Sequence, residues 1–252
     1  MRAHVGWGFV LAGVLAFGLF GEIVVPIAST QEEDAPKLTD EQQAIADLFT
    51  ATKVTFGEKG TIRLEYDLKS MDDGLLEDWR PAKEKSKRTI RWAERWDEGL
   101  MVAMTGNWTH KAIFAGDVET HVDARSYSLM REGDYFTLGL VTPKGKTMVG
   151  TNLGKQCLRL VGTKIARAIP TKFPKSTVRQ DLKFGMRIKE GVLYALRGKS
   201  TAVNSRESTK FMKKVDKGRI GFRWKGQVQM CLYKVTIEGK LDEAWLAKAR
   251  KS

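Results

Sequence analysis

The chain has 252 residues, a formal charge of +13 and a hydrophobic fraction of 42%. These totals exclude global disorder and allow one large β-domain or two small ones. A charge of this sign draws a chain toward nucleic acid, anionic membrane surfaces or acidic polymers, without choosing among them.

In chain order, residues 1–29, MRAHVGWGFVLAGVLAFGLFGEIVVPIAS, carry one early Arg and an apolar run from Val5 to Phe20. The run is short for a membrane span and suits an export signal, with Ile27-Ala28-Ser29 offering small residues for cleavage. Glu22 and Pro26 interrupt it, so an uncleaved N-terminal anchor is the alternative, and it would be the chain's only route to a membrane. Export places the protein outside the cytoplasm, secreted or in the periplasm and cell envelope, and removes nucleic acid from its expected partners. Residues 30–52 read as a linker, TQEEDAPK, and then a short helix. Thr39 and Gln42 have capping-box spacing, and Ile45, Leu48 and Phe49 fall on one side.

From residue 53 to 252, period-two patterns dominate. TIRLEYDLK sets Ile62, Leu64, Tyr66 and Leu68 against Arg63, Glu65 and Asp67. DDGLLEDWRPAKEKSK reads as a charged loop. TIRWAERW and LMVAM form a predicted hairpin, followed by GDVETHVDAR and, after a turn at residues 131–134, YFTLGLV. A second turn is predicted at Pro143-Lys-Gly145. DLKFGMRIK and VLYALRG flank a third at Lys189-Glu-Gly191, and RIGFRW and QVQMCLYKVTIEG flank a fourth at Lys225-Gly226. The ending LDEAWLAKARKS tucks Leu241, Trp245 and Leu246 onto the body. Roughly ten to fourteen short strands, with turn signals every 8–12 residues or so, predict an antiparallel sandwich or barrel.

GDVETHVDAR holds the candidate catalytic set. Asp117, Glu119, His121 and Asp123 alternate with Val118, Thr120, Val122 and Ala124, giving one wet strand face and one dry one. Carboxylates two residues apart lie within reach of the separations glycosidases use, and His121 between them can move a proton or orient an acid. The same oxygens suit Ca²⁺; no other cofactor is expected. The competing reading is a solvated face whose acids pair with Arg and Lys of neighbouring strands. Trp92, Trp96, Trp108 and Arg125 are the candidate substrate-binding residues, since indole rings stack on sugar faces; the competing reading places the tryptophans in the core. Basic runs at 83–91, 159–179 and 210–219 add an affinity for acidic polymers. Cys157 and Cys231 lie in strand-like runs and read either as a disulfide or as two buried thiols. With three His in all, one in the leader, a His-rich zinc site is excluded.

The run from Gly218-Arg-Ile-Gly221 through Gly239-Lys-Leu-Asp242-Glu-Ala-Trp245-Leu resembles the closing strands of concanavalin A-like lectin/glucanase (LamG-like) jelly rolls. It is closest to bacterial exported 3-keto-disaccharide hydrolase-type domains. Leu182–Arg197 resembles the preceding hairpin, Phe114–Arg125 a central strand, and the likeness spans about residues 53–246. It implies an all-β antiparallel β-sandwich, a jelly roll, with a short N-terminal helix after an export signal. It also implies a carbohydrate partner. Laminarinase-like members carry Glu-x-Asp-x-Glu on the central strand; here Glu119-Thr-His121-Val-Asp123 keeps the alternation with other residue types. Ser126-Tyr-Ser-Leu stands where related domains have Asn-Ser-Gly, so catalytic roles do not carry over residue by residue. The expected function is binding of an acidic polysaccharide. Glycoside hydrolysis through the acidic strand, or a structural or adhesive envelope role, are the alternatives.

Overall fold

The computed structural model describes residues 37–81, 90–92, 99–127, 133–142, 148–154, 157–162, 168–170, 180–204 and 216–251. The segment expected to be an export signal, Trp96, the turn expected at Pro143–Gly145 and most of the three basic runs lie outside the described residues, as do the side chains of Trp92 and Cys157.

Helix α1, Asp40–Ala46, opens with the predicted box: the Thr39 hydroxyl accepts from the Gln42 N–H, and the Gln42 side chain accepts from the Thr39 N–H. Phe49, just beyond it, is buried, and Ile45 and Leu48 pack against the same core. The strands follow. They are β1 (Lys53–Phe56), β2 (Thr61–Asp67), β3 (Trp79–Pro81), β4 (Ile90–Trp92), β5 (Leu100–His110), β6 (Phe114–Ser126) and β7 (Tyr135–Val141). Next come β8 (Met148–Gly154), β9 (Cys157–Val161), β10 (Ala168–Pro170), β11 (Gln180–Lys189), β12 (Val192–Arg197), β13 (Ser200–Asn204) and β14 (Lys217–Leu241). Helix α2, Glu243–Ala249, closes the chain, with the Asp242 carboxylate accepting from the Trp245 N–H.

All pairings are antiparallel, and the sheet curls strongly enough to form two facing layers. One layer runs β10-β9-β8-β7 to the first half of β14; the other runs from the second half of β14 through β6, β11 and β12 to β13. β12 lies against β8 and β9 across the core, and Phe136 of β7 meets Phe184 of β11 edge-on at 5.8 Å. Alternation decides which side chains enter. Ile62, Leu64 and Tyr66 of β2, and Val118, Val122 and Ala124 of β6, are all buried, as period two requires. The hairpin at Lys189-Glu-Gly191 is present, its central residues Glu190 and Gly191 both left-handed at φ 51° and 75°, the geometry of a type I′ turn.

Two expectations are corrected. The segment read as a charged loop contributes β3, which pairs with β5, and Trp79 enters the core. Lys225-Gly226 is not a turn. β14 runs straight through it as one 25-residue strand, and three residues, Lys225, Gly226 and Gln227, oppose Thr105 alone. This bulge supplies the local bend that lets β5 and β14 pass together from one layer to the other. The glycine marks an extra residue in a continuing ladder, a use of left-handed φ that local sequence does not separate from a turn.

Candidate functional site

The acids of β6 do lie on a wet face. Asp117 is exposed and Glu119, His121 and Asp123 are half-buried, whereas Val118, Thr120, Val122 and Ala124 are buried. The face is partnered by β11 on one side and β14 on the other. Register places Arg187, Lys183 and Asp181 of β11 opposite Glu119, Asp123 and Arg125. Glu119 and Asp123 therefore each meet a cation across the strand, the favourable cross-strand arrangement.

Glu119 is the most tightly held. Arg187 binds it through two nitrogens, with Nη2–Oε1 at 3.1 Å, and His121 Nε2 lies 2.5 Å from Oε1. Partial burial opposes ionisation, but the hydrogen bonds and charges of His121 and Arg187 outweigh it and bring the Glu119 pKa down to about 2. Gly185 lies opposite His121. A Cβ there would stand 2.4 Å from the Thr120 carbonyl oxygen and 3.0 Å from His121 Nδ1, so only glycine leaves the imidazole its place. Asp123 pairs with Lys183 at 3.3 Å.

Asp117 departs from the predicted row. Gly239 pairs with Val118 and Lys240 with Ala115, so Gly116 and Asp117 form a bulge in β6, with Gly116 at φ 71°. The Asp117 carboxylate accepts from the Glu190 N–H at 2.8 Å and so buttresses the β11–β12 turn. Asp117 and Glu119, two residues apart in sequence, are thus held by different partners. The arrangement matches the solvated, ion-paired reading of the face. Among the described residues, no three His, Cys, Asp or Glu side chains gather as a metal site.

Beside this row opens a groove of about 590 Å³, a volume in the range of ligand pockets. Asp67 at the end of β2 and Lys69 just beyond it, Asp123 and Arg125 of β6, Asp181 and Lys183 of β11, and Tyr233 and Lys234 of β14 line it. The groove exists because β14 changes neighbours here. Leu232 still pairs with Leu100 of β5, whereas Lys234 pairs with Asp67 of β2. Against β6, Leu232 and Lys234 pair with Ala124 and Asp123, so Tyr233 is a one-residue bulge. Bulges re-aim a side chain, and this one places the Tyr233 ring in the groove. Lys69 Nζ lies 5.0 Å and Arg125 Cζ 5.9 Å from its centroid.

Of the expected binding residues, Arg125 lines the groove, but Trp108 does not. It is 7% exposed and sits in the core, because it shares the dry face of β5 with Leu100, Val102 and His110. Trp224 is also core, its indole N–H donating to the Ala103 carbonyl at 3.0 Å. Lys69, Asp181, Lys183, Tyr233 and Lys234 were not singled out from the sequence. The charges of β11 alternate as the complement of β6, which register alone would have revealed. Tyr233 sits where the buried positions change phase, from Val228, Met230 and Leu232 to Val235 and Ile237.

A second polar group lies in the core. Tyr66 Oη is 2.6 Å from Asp78 Oδ2 and 2.7 Å from His110 Nε2. The Thr50 N–H donates to Asp78 Oδ2 at 2.9 Å, and Lys111 Nζ lies 2.5 Å from Oδ1. Since the Ala112 N–H donates to His110 Nδ1, the imidazole proton sits on Nε2 and the chain runs His110 to Tyr66 to Asp78. Full burial pushes the His110 pKa down to about 3, against the pull of Asp78.

No family model matches the sequence, and no curated protein matches it. Solved structures match the fold. A Bacillus subtilis protein described as of unknown function with a galectin-like fold aligns with a TM-score of 0.52 at 11% identity, over 75% of this chain and 100% of that one. The Crh5 transglycosylase in complex with NAG aligns at 0.50 and 12% identity, over 75% and 88%. A prokaryotic β-1,3-1,4-glucanase (lichenase) from a mouse hindgut metagenome aligns at 0.50 and 11% identity, over 69% and 98%. These likenesses show the fold alone, a jelly-roll β-sandwich.

Proposed function

We propose that the chain is an exported carbohydrate-binding protein that takes an acidic polysaccharide in the groove beside Tyr233. The observation that carries this reading is the groove itself: an aromatic ring placed there by a bulge, among four cations, Lys69, Arg125, Lys183 and Lys234, and three acids, Asp67, Asp123 and Asp181. An aromatic ring offers an apolar face to sugar C–H groups, and the cations select for acid. The apolar run at Val5–Phe20 supports delivery to the envelope or beyond, and the likeness to LamG-like and 3-keto-disaccharide hydrolase-type domains belongs to the same reading. Binding is favoured over hydrolysis. A general acid needs a raised pKa, and Glu119 is held ionised by Arg187 and His121.

The full chain on a glycan array tests this, beside Tyr233→Ala and Glu119→Gln. Wild type should bind acidic glycans without releasing reducing ends. Tyr233→Ala should lose about tenfold in affinity, on the order of 1.4 kcal/mol, and Glu119→Gln should bind as wild type. Absence of any glycan binding refutes the proposal. Reducing ends released by wild type and abolished in Glu119→Gln would establish a hydrolase instead.

A further inference from the structure

Within the groove, three cations converge on one carboxylate. Asp181 of β11 sits directly across from Arg125 of β6 and accepts both prongs of its guanidinium, at 2.7 Å (Nε–Oδ1) and 3.2 Å (Nη2–Oδ2). The hydrogen bond from Arg125, joined by the charges of Arg125, Lys69 and Lys183, holds this carboxyl below its usual range. Lys69 and Arg125 also flank the Tyr233 ring. Yet the side chain of Asp181 is 64% exposed. Exposed ion pairs contribute at most about 1 kcal/mol, so an incoming anion displaces Asp181 at small cost. The Arg187–Glu119 pair lacks this property: it is more deeply set and carries His121 as a third partner.

We infer that Asp181 stands in for a ligand carboxylate: a uronic acid unit of the polymer docks its carboxylate on the fork of Arg125, displaces Asp181 and lays its ring along Tyr233. Asp181 is then a built-in competitor that weakens binding and sharpens the choice of acid over neutral sugar, because a neutral ligand cannot replace what it removes. This rests on the carbohydrate reading above and names the subsite within it.

The test is affinity electrophoresis of the full chain through gels holding polygalacturonate, methyl-esterified polygalacturonate or laminarin, a neutral β-glucan. Asp181→Asn should bind polygalacturonate about three- to fivefold more tightly at low salt. Arg125→Gln should bind at least tenfold or so more weakly, and Asp181→Asn should give no gain on top of it. Glu58→Gln, the same charge change on the exposed β1–β2 connection, should give no gain, and the esterified polymer should respond to none of these. The inference is overturned, with the carbohydrate reading intact, in three cases: wild type binds only neutral or esterified polymer, Asp181→Asn fails to tighten binding, or Glu58→Gln tightens it equally. If wild type binds none of the three and no glycan on the array, the carbohydrate reading itself falls.

Discussion

Glu119 shows how a carboxylate chosen for chemistry on spacing alone is claimed by structure. Its pKa of about 2, against 4.5 for a free side chain, means its ionisation stabilises the fold fully above pH 4.5 and progressively less as the pH falls toward 2. Glu119→Gln should cost about 1–2 kcal/mol at pH 7, discounted for partial exposure, and should flatten the acid limb of a urea denaturation series. Asp78 matters more. It is fully buried and serves the Thr50 N–H, Tyr66 and Lys111 at once. Asp78→Ala strands a buried phenol, the Thr50 N–H and the half-buried Lys111 ammonium, and should cost about 3–5 kcal/mol by chemical denaturation. His110 was legible in principle, since it shares even numbering with Leu100, Val102 and Trp108 on the dry face of β5. Asp78 was not, because it precedes a three-residue strand that no pattern announces.

The strands themselves were largely readable. β2, β6, β7, β11 and β12 fall where alternation put them, and the capping box of α1 is present as Thr39 and Gln42 predict. What alternation hides is the bulge. Gly116-Asp117, Lys225–Gln227 and Tyr233 each insert residues into one strand of a pair, and each departs from what alternation predicts. One took Asp117 out of its row, one turned a supposed hairpin into a continuous strand, and one produced the ring of the groove. Spacing arguments hold only between bulges, because one inserted residue exchanges the faces. Gly185 is the converse case, a single missing side chain that seats His121. Gly185→Ala should push the imidazole off Glu119 or separate β11 from β6, costing about 1–3 kcal/mol by urea denaturation, and changed His121 ring chemical shifts in NMR spectra at one fixed pH would report it.

At the scale of the molecule, two titrations run in the same direction. The unfolded His110 imidazole takes a proton below about 6.5, whereas in the folded chain it stays neutral down to about 3. Its contribution is therefore full above pH 6.5 and is lost as the pH falls. Stability should drop by up to about 1.4 kcal/mol per pH unit below pH 6.5, with Glu119 steepening the fall below 4.5. A melting temperature indifferent to pH between 7 and 4 would contradict this. The layers also share β5 and β14, so they should melt in one transition, with calorimetric and van't Hoff enthalpies equal. β14 is the seam between them: it pairs with β7 along its first half and with β2 and β6 along its second. Without that ladder the two walls have no common stave, so its pairing is the event that closes the sandwich.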